Sequence, residues 1–185
     1  VRFLDMHHPI DVVYSDYSTI DEDGRVREFQ QVRRPAALGF RENVVGACFL
    51  FRRKVYDAVG GFPEDLFLVE DYYFWLRAAD RFNLHPLHED LYFYRVHSQS
   101  LSQTFQDRRE VTDKALVRAL GSTRRRVLRA GMHFNLAADF LRRAMPVEAR
   151  SHLLKALATA PVATLRHAPK RLLANVLFGR AGSAR

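Results

Sequence analysis

Two adjacent acids open a segment whose pattern predicts a helix. Glu70 and Asp71 stand ahead of Phe74, Trp75 and Ala78, a spacing that places the apolar side chains on one helix face. A carboxylate at a helix start that faces a cleft can accept a proton from a hydroxyl group, which is general base catalysis. The alternative is structural, because the helix dipole favours acids at an N-terminus. Both interpretations remain open for Asp71 on this pattern alone.

Arg95 and His97 lie at the end of a strand that we predict over residues 91–96. His97 lies between that strand and a loop rich in Ser and Gln, where a side chain can point into a cleft or simply be a polar loop residue. Arg95 can stabilise a diphosphate, or it can pair with Glu89 or Asp90. Arg95 and His97 are therefore candidate binding residues.

Gly46 lies in the apolar segment 44–51, for which we predict a strand. A glycine there either allows a ligand to approach the backbone or relieves crowding. His85 and His88 are placed in a loop and lack the carboxylate or thiolate spacing of a zinc site. The single cysteine excludes an internal disulfide and a thiolate metal cluster.

The elements that must position these residues follow from the periodicity of apolar side chains. Residues 1–105 are predicted to be mixed α/β and residues 106–185 all helical. The predicted elements of the first part are the end of a helix at 1–8, strands at 10–15 and 25–31 around a turn at 21–24, a helix at 52–59, a loop at 62–68, and a helix from 70 with Ala79 and Phe82 also facing inward. The predicted helices of the second part are 107–120, one capped by Ser122 or Thr123 and ending near 145, one from Pro146 to about 160, and a basic one at 165–178. The segments 137–141 and 149–157 resemble the two helices of one tetratricopeptide-type repeat.

Composition and charge narrow the class of protein. An apolar content of 48% and a charged content of 27% are typical of a globular protein, and no apolar run is long enough to span a bilayer. Residues 1–100 carry a net charge of −4 and residues 101–185 a net charge of +12, almost all of it from arginine. The N-terminus lacks the pattern of a secretory signal. It also lacks an initiator methionine, so we expect the chain to be an excised piece of a longer protein.

Several short motifs occur in one order along residues 1–105. They are Tyr14-Ser15-Asp16, Ile20-Asp21-Glu22-Asp23-Gly24, the segment from Asn43 to Arg53, Val59-Gly60-Gly61-Phe62, Val69-Glu70-Asp71 with Trp75-Leu76-Arg77, and Tyr94-Arg95-Val96-His97-Ser98. This order resembles the C-terminal, acceptor-side half of a family 2 glycosyltransferase with the GT-A fold. The resemblance implies transfer of a sugar from a nucleotide-sugar donor to an acceptor hydroxyl, with inversion.

The resemblance also implies roles for individual residues. Asp71 corresponds to the general base of the family's Glu-Asp pair, and Glu70 to a structural or acceptor-orienting residue. Gly46 corresponds to the glycine that lines the donor and acceptor cleft. His97 corresponds to an auxiliary ligand of Mn²⁺ or Mg²⁺ or of the diphosphate, and we expect it to share a crevice with Asp71.

The main metal ligands are expected to lie upstream of residue 1. The family's nucleotide-binding half carries an Asp-x-Asp motif at the end of a strand that this sequence does not contain. Asp21-Glu22-Asp23 matches the spelling but sits in a turn that ends in glycine, so we do not assign it as the metal motif. The isolated chain is therefore expected to be inactive.

The basic helices leave a second function class open. An arginine-rich helical surface is either a solvated face or one attracted to anionic lipids. The sequence shows neither aromatic residues interleaved with basic ones nor a helix-turn-helix spacing, so nucleic acid is not an expected partner. The alternative to an enzyme is a non-catalytic module that binds a protein or an anionic membrane surface. The expected location is cytoplasmic, at most peripheral to the inner face of the cell membrane, and the expected acceptor is a sugar, lipid-linked or protein hydroxyl.

Overall fold

The computed structural model describes residues 1–35, 42–101 and 108–167. These residues form two compact units, one of residues 1–35 and 42–115 and one that begins at residue 116. The predicted boundary between residues 105 and 106 lies outside the described residues. The first unit contains all the strands and the second is helical, so the chain has the mixed α/β character that the sequence predicts.

The first unit is organised around one central strand. β1 (Val12–Ile20) pairs with three others: β2 (Val26–Gln30), β3 (Phe49–Phe51) and β4 (Leu84–Arg95). β3 and β2 are both antiparallel to β1 and share one of its edges, with β3 beside residues 12–14 and β2 beside residues 17–20. β4 runs parallel to β1 over its whole length. Residues 12–16 of β1 are all buried, as expected for a strand with neighbours on both edges.

Four helical segments accompany this sheet. They are α1 (Arg2–Met6), α2 (Arg53–Val59), a turn of 3-10 helix (Glu64–Leu66) and α3 (Glu70–Arg81). α3 contributes the fully buried Phe74 and Trp75, whose rings contact β3: the Phe49 and Trp75 centroids are 4.8 Å apart and those of Phe51 and Phe74 are 5.5 Å apart. These aromatic contacts fix the N-terminus of α3 relative to the sheet. Of the predicted inward residues, Ala79 and Phe82 are only half-buried.

Three strand predictions were wrong in extent. The predicted strand at 10–15 is β1, which begins at Val12 and continues to Ile20. The predicted strand at 44–51 is a strand only at Phe49–Phe51, because Gly46 adopts a φ of 67° that breaks an extended chain. The predicted strand at 91–96 is β4, which already begins at Leu84 because β1 supplies a partner along its length. His85 and His88 therefore lie in a strand and not in a loop.

The second unit is a short helical arrangement. Its helices are α4 (Arg109–Leu120, which begins in the first unit), α5 (Arg126–Arg142), α6 (Pro146–Thr159) and α7 (Pro161–His167). α5 and α6 pack through Ala137, Ala149 and Leu153, which are fully buried. This is a single helix pair at the position where the sequence resembles a tetratricopeptide-type repeat.

The ends of these helices correct two predictions. α5 begins after Arg125 without a side-chain cap, so Ser122 and Thr123 do not cap it. Thr123 instead donates its hydroxyl to the carbonyl of Ala119 at the end of α4. The last predicted helix, at 165–178, begins earlier, at Pro161, and its part beyond residue 167 lies outside the described residues. No helix in the described ranges combines the length and apolar composition needed to cross a membrane.

Candidate functional site

Asp71 lies in the first turn of α3, held by two short hydrogen bonds. Its Oδ2 accepts a hydrogen bond from Asn43 Nδ2 at 2.6 Å, and its Oδ1 accepts one from the Tyr72 N–H at 2.6 Å. Asn43 is itself oriented, because its Oδ1 accepts the Val45 N–H at 3.1 Å. The amide therefore presents its NH₂ group to the carboxylate. Asn43 begins the motif that extends to Arg53, but nothing in the sequence pattern indicates that it positions Asp71.

The environment of Asp71 raises the pKa of its carboxyl group. Burial is the largest cause, and the neighbouring Glu70 carboxylate adds to it. The hydrogen bond from the Tyr72 N–H, the amide of Asn43 and the charge of Arg108 oppose the shift. A carboxylate with a raised pKa binds a proton more readily than an exposed one, which is the property that a general base requires.

Glu70 begins α3 beside an unusual backbone conformation. Leu68 has a φ of 75°, a value that side chains other than glycine rarely adopt, and Val69 then caps the helix without a side-chain hydrogen bond. Glu70 Oε2 is buried and has no hydrogen-bond partner among the described residues. Unsatisfied buried oxygens and strained backbone often occur together at functional sites.

Gly46 lies three residues after Asn43, in the same chain segment. A Cβ atom on Gly46 would lie 3.6 Å from Tyr17 Cε1, which is an ordinary contact. The position favours glycine because of its φ of 67° and not because a neighbour is too close. The segment that carries these two residues thus meets the N-terminus of α3 at Asn43 and lies beside the Tyr17 ring of β1 at Gly46.

Arg95 and His97 lie where the parallel strands β1 and β4 end. Arg95 Nη1 donates to the carbonyl oxygens of Asp21 at 2.8 Å and Glu22 at 2.6 Å. It therefore holds the turn after β1 through main-chain oxygens, in contrast to the pairing with Glu89 or Asp90 that the sequence left open. The backbone N–H of His97 donates to Ser100 Oγ at 3.0 Å, which orders the loop after β4.

An open cavity of about 450 Å³ lies between the turn after β1 and the loop after β4. Its lining residues are Asp21, Glu22, Asp23, Arg27, Val96, His97 and Ser98. The carboxyl ends of parallel strands are where α/β proteins commonly bind ligands. Asp71, Glu70 and Gly46 are not among the residues that line it, so the expectation that Asp71 and His97 share one crevice is not met by this cavity.

Asp21, an acid that lines the cavity, already has partners within the chain. Asp21 Oδ2 contacts Arg27 Nη2 at 2.7 Å, and Asp21 Oδ1 accepts the Arg25 N–H at 2.8 Å. These contacts lower the pKa of Asp21. No group of three or more His, Cys, Asp or Glu side chains in the described ranges is placed to hold a metal ion. His97, the expected auxiliary ligand, is among the residues that line the cavity.

No protein-family model matches this sequence, and no curated protein matches it significantly. The functional argument therefore depends on the residues of this chain.

The sequence analysis did not identify a set of buried polar side chains on β1 that have polar partners. Asp16 accepts the Val32 N–H at 2.8 Å and lies 3.3 Å from His88 Nδ1, and Ser18 donates to Asp90 Oδ2 at 2.5 Å. The signal was available in the sequence, because Ser15, Asp16 and Ser18 interrupt an otherwise apolar strand. These contacts account for the buried acid and assign His88 a structural partner.

Proposed function

We propose that the chain is the acceptor-side part of a glycosyltransferase of family 2 with the GT-A fold, in which Asp71 is the general base. The observation that carries the proposal is the half-buried carboxylate of Asp71, whose pKa is raised and whose orientation Asn43 fixes. The ordered motifs of residues 1–105 also support it.

The proposed reaction is an in-line displacement with inversion. The acceptor hydroxyl oxygen forms a bond to the anomeric carbon of the donor sugar as the bond from that carbon to the diphosphate oxygen breaks. The hydroxyl proton passes to an Asp71 carboxylate oxygen, and the nucleoside diphosphate leaves with the electron pair of the broken bond. Each Asp71 oxygen accepts one hydrogen bond and keeps a lone pair for that proton.

The other candidate residues have supporting roles in this proposal. Glu70, with its unpartnered oxygen, orients the acceptor, and Gly46 lines the cleft. Arg95 holds the turn beside the cavity, and through it contributes to the binding surface. Mn²⁺ or Mg²⁺ would neutralise the leaving diphosphate; His97 is proposed as an auxiliary ligand, with the Asp-x-Asp ligands upstream of residue 1.

The decisive experiment measures sugar transfer by the complete gene product. The protein is assayed against a panel of nucleotide-sugar donors, with Mn²⁺ and with chelator. Asp71→Asn keeps the size of the side chain and removes its basicity, so we expect turnover to fall by about 10²–10⁴-fold. Asp57→Asn is the matched control, because Asp57 is an exposed acid that pairs only with Arg53 on the surface of α2. Unchanged turnover in Asp71→Asn would refute the assignment of the base.

A second candidate function is a non-catalytic module located at the inner face of the cell membrane. It is favoured by the basic second unit, in which residues 121–130 contain four arginines and no acid. The two functions separate experimentally, because the module predicts no turnover of any donor by the unchanged protein.

A further inference from the structure

The second unit contains an apolar groove bordered by two arginines. It has a volume of about 680 Å³ and lies where the N-terminus of α5 meets the junction of α6 and α7. Val127, Ala160, Val162 and Ala163 line it, together with Arg126 and Arg166. We refer to it as the Arg126–Arg166 groove.

Hydrogen bonds inside the unit hold the walls of this groove. Arg126 Nε donates to the carbonyl of Thr159 at 3.1 Å, which ties α5 to the end of α6. The Thr164 side chain is fully buried, and its hydroxyl lies 2.8 Å from the carbonyl oxygen of Ala160 and 3.1 Å from that of Ala156. With Thr164 facing inward, α7 leaves Val162 and Leu165 exposed, at 77% and 57% of their surface.

The charge of the groove has one sign. The segments that build it, residues 121–130 and 159–167, contain Arg124, Arg125, Arg126, Arg129 and Arg166 and no aspartate or glutamate. An apolar surface rimmed only by cations complements an amphiphile with an anionic head group. Each basic residue near an anionic bilayer strengthens its attachment, and exposed aliphatic side chains add to it by entering the interface.

We infer that the Arg126–Arg166 groove is a docking site for the surface of a bilayer that carries anionic phospholipids. Val162 and Leu165 enter the head-group region, and Arg126 and Arg166 contact lipid phosphates. The residues that line the groove include no aromatic side chain on which a base could stack, so the groove lacks the feature by which proteins hold single-stranded nucleic acid. This inference is independent of sugar transfer at Asp71, because vesicle binding tests one and turnover tests the other.

The test is flotation of the whole chain with vesicles of phosphatidylcholine alone or mixed with phosphatidylglycerol. We expect binding to the mixed vesicles only, weakened at high salt. Val162→Asp and Arg166→Glu should each reduce the binding constant by about tenfold or more.

Two matched variants control for general effects of charge. Val147 is exposed to the same 77% as Val162 but lies at the start of α6, and Arg150 is an exposed arginine of the same helix. Val147→Asp and Arg150→Glu should bind nearly as well as the unchanged chain.

Two outcomes overturn the inference. One is an absence of binding to the mixed vesicles, or equal binding to both kinds of vesicle. The other is equal loss in the groove variants and the controls, which would mean that net charge alone attracts the chain. Circular dichroism of each variant verifies that the helices are intact, and binding to RNA but not to vesicles counts against the inference as well.

Discussion

The pair His133 and His152 predicts that the second unit loses stability in mild acid. The rings face each other across α5 and α6, with 3.1 Å between their Nδ1 atoms and 5.2 Å between their centroids. At this distance one ring nitrogen donates and the other accepts, an arrangement that two protonated imidazoles cannot make. The pKa of His133 is lowered to about 4, chiefly by burial and also by the charges of His152, Lys155 and Arg129. The pKa of His152 is also lowered, by burial and by Lys155.

The sign of the effect follows from proton binding. Between the ordinary pKa of 6.5 and the folded value of about 4, the unfolded chain binds more protons at His133 than the folded chain. The free energy of unfolding therefore falls as the pH falls through this range. The full shift corresponds to roughly 3 kcal/mol, but the ring is about half exposed, and solvent screening reduces the expected loss to about 1–2 kcal/mol.

Hydrogen exchange of peptides from α5 and α6 measures this loss, after correction for the intrinsic pH dependence of exchange. We expect the opening free energy to drop by about 1–2 kcal/mol between pH 7 and pH 4.5 in the unchanged chain. In His133→Gln most of this drop should disappear. His8→Gln removes an exposed imidazole from the first unit and should leave the drop in place. Equal pH dependence with and without His133 would refute the reasoning.

Three further predictions concern packing, backbone and the proposed base. Leu153→Ala removes a fully buried side chain between α5 and α6 and should destabilise the second unit by about 2–5 kcal/mol in denaturant unfolding, whereas the exposed Leu154→Ala should cost well under half as much. Gly46→Ala should cost about 1–2 kcal/mol because of its positive φ. Gly121→Ala should cost less, because Gly121 lacks a positive φ and its added Cβ would meet only the Arg118 carbonyl oxygen at an ordinary 3.5 Å; the reverse order would contradict the backbone argument. Asn43→Ala removes a hydrogen bond that lowers the pKa of Asp71, so the acidic limb of the turnover profile should move to higher pH; an unmoved limb would mean that Asn43 does not tune the base.

The sequence predicted the elements better than it predicted their extent. Helices α2, α3 and α6 were predicted because their apolar spacing, the Gly60 that ends α2 and the Pro146 that begins α6 are local signals. The N-terminal half of β4 was missed because its residues form a strand only beside β1, a partner far away in the sequence. The segment before β3 was misjudged because a run of apolar residues does not reveal that Gly46 takes a left-handed conformation.

The residues of the candidate site could also be predicted one by one but not as a group. Glu70 and Asp71 at a helix start and His97 after a strand could be located from the sequence, because each depends on the end of one element. Their grouping could not, because it depends on how distant segments meet. The partnership of Asn43 with Asp71, the hold of Arg95 on the turn after β1, and the division between the Asp71 region and the cavity beside His97 all arise from long-range packing.

The arrangement of partners around β1 has a consequence for the order of folding. β1 is made early in synthesis, yet its parallel neighbour β4 is the last strand of the first unit to leave the ribosome. Until then one whole edge of this strand stays unpaired, which exposes the nascent chain to misassociation. The helical second unit depends on neighbours in the sequence and should form rapidly once made. Slow maturation of the protein, where it occurs, should therefore be traced to closure of the sheet by β4.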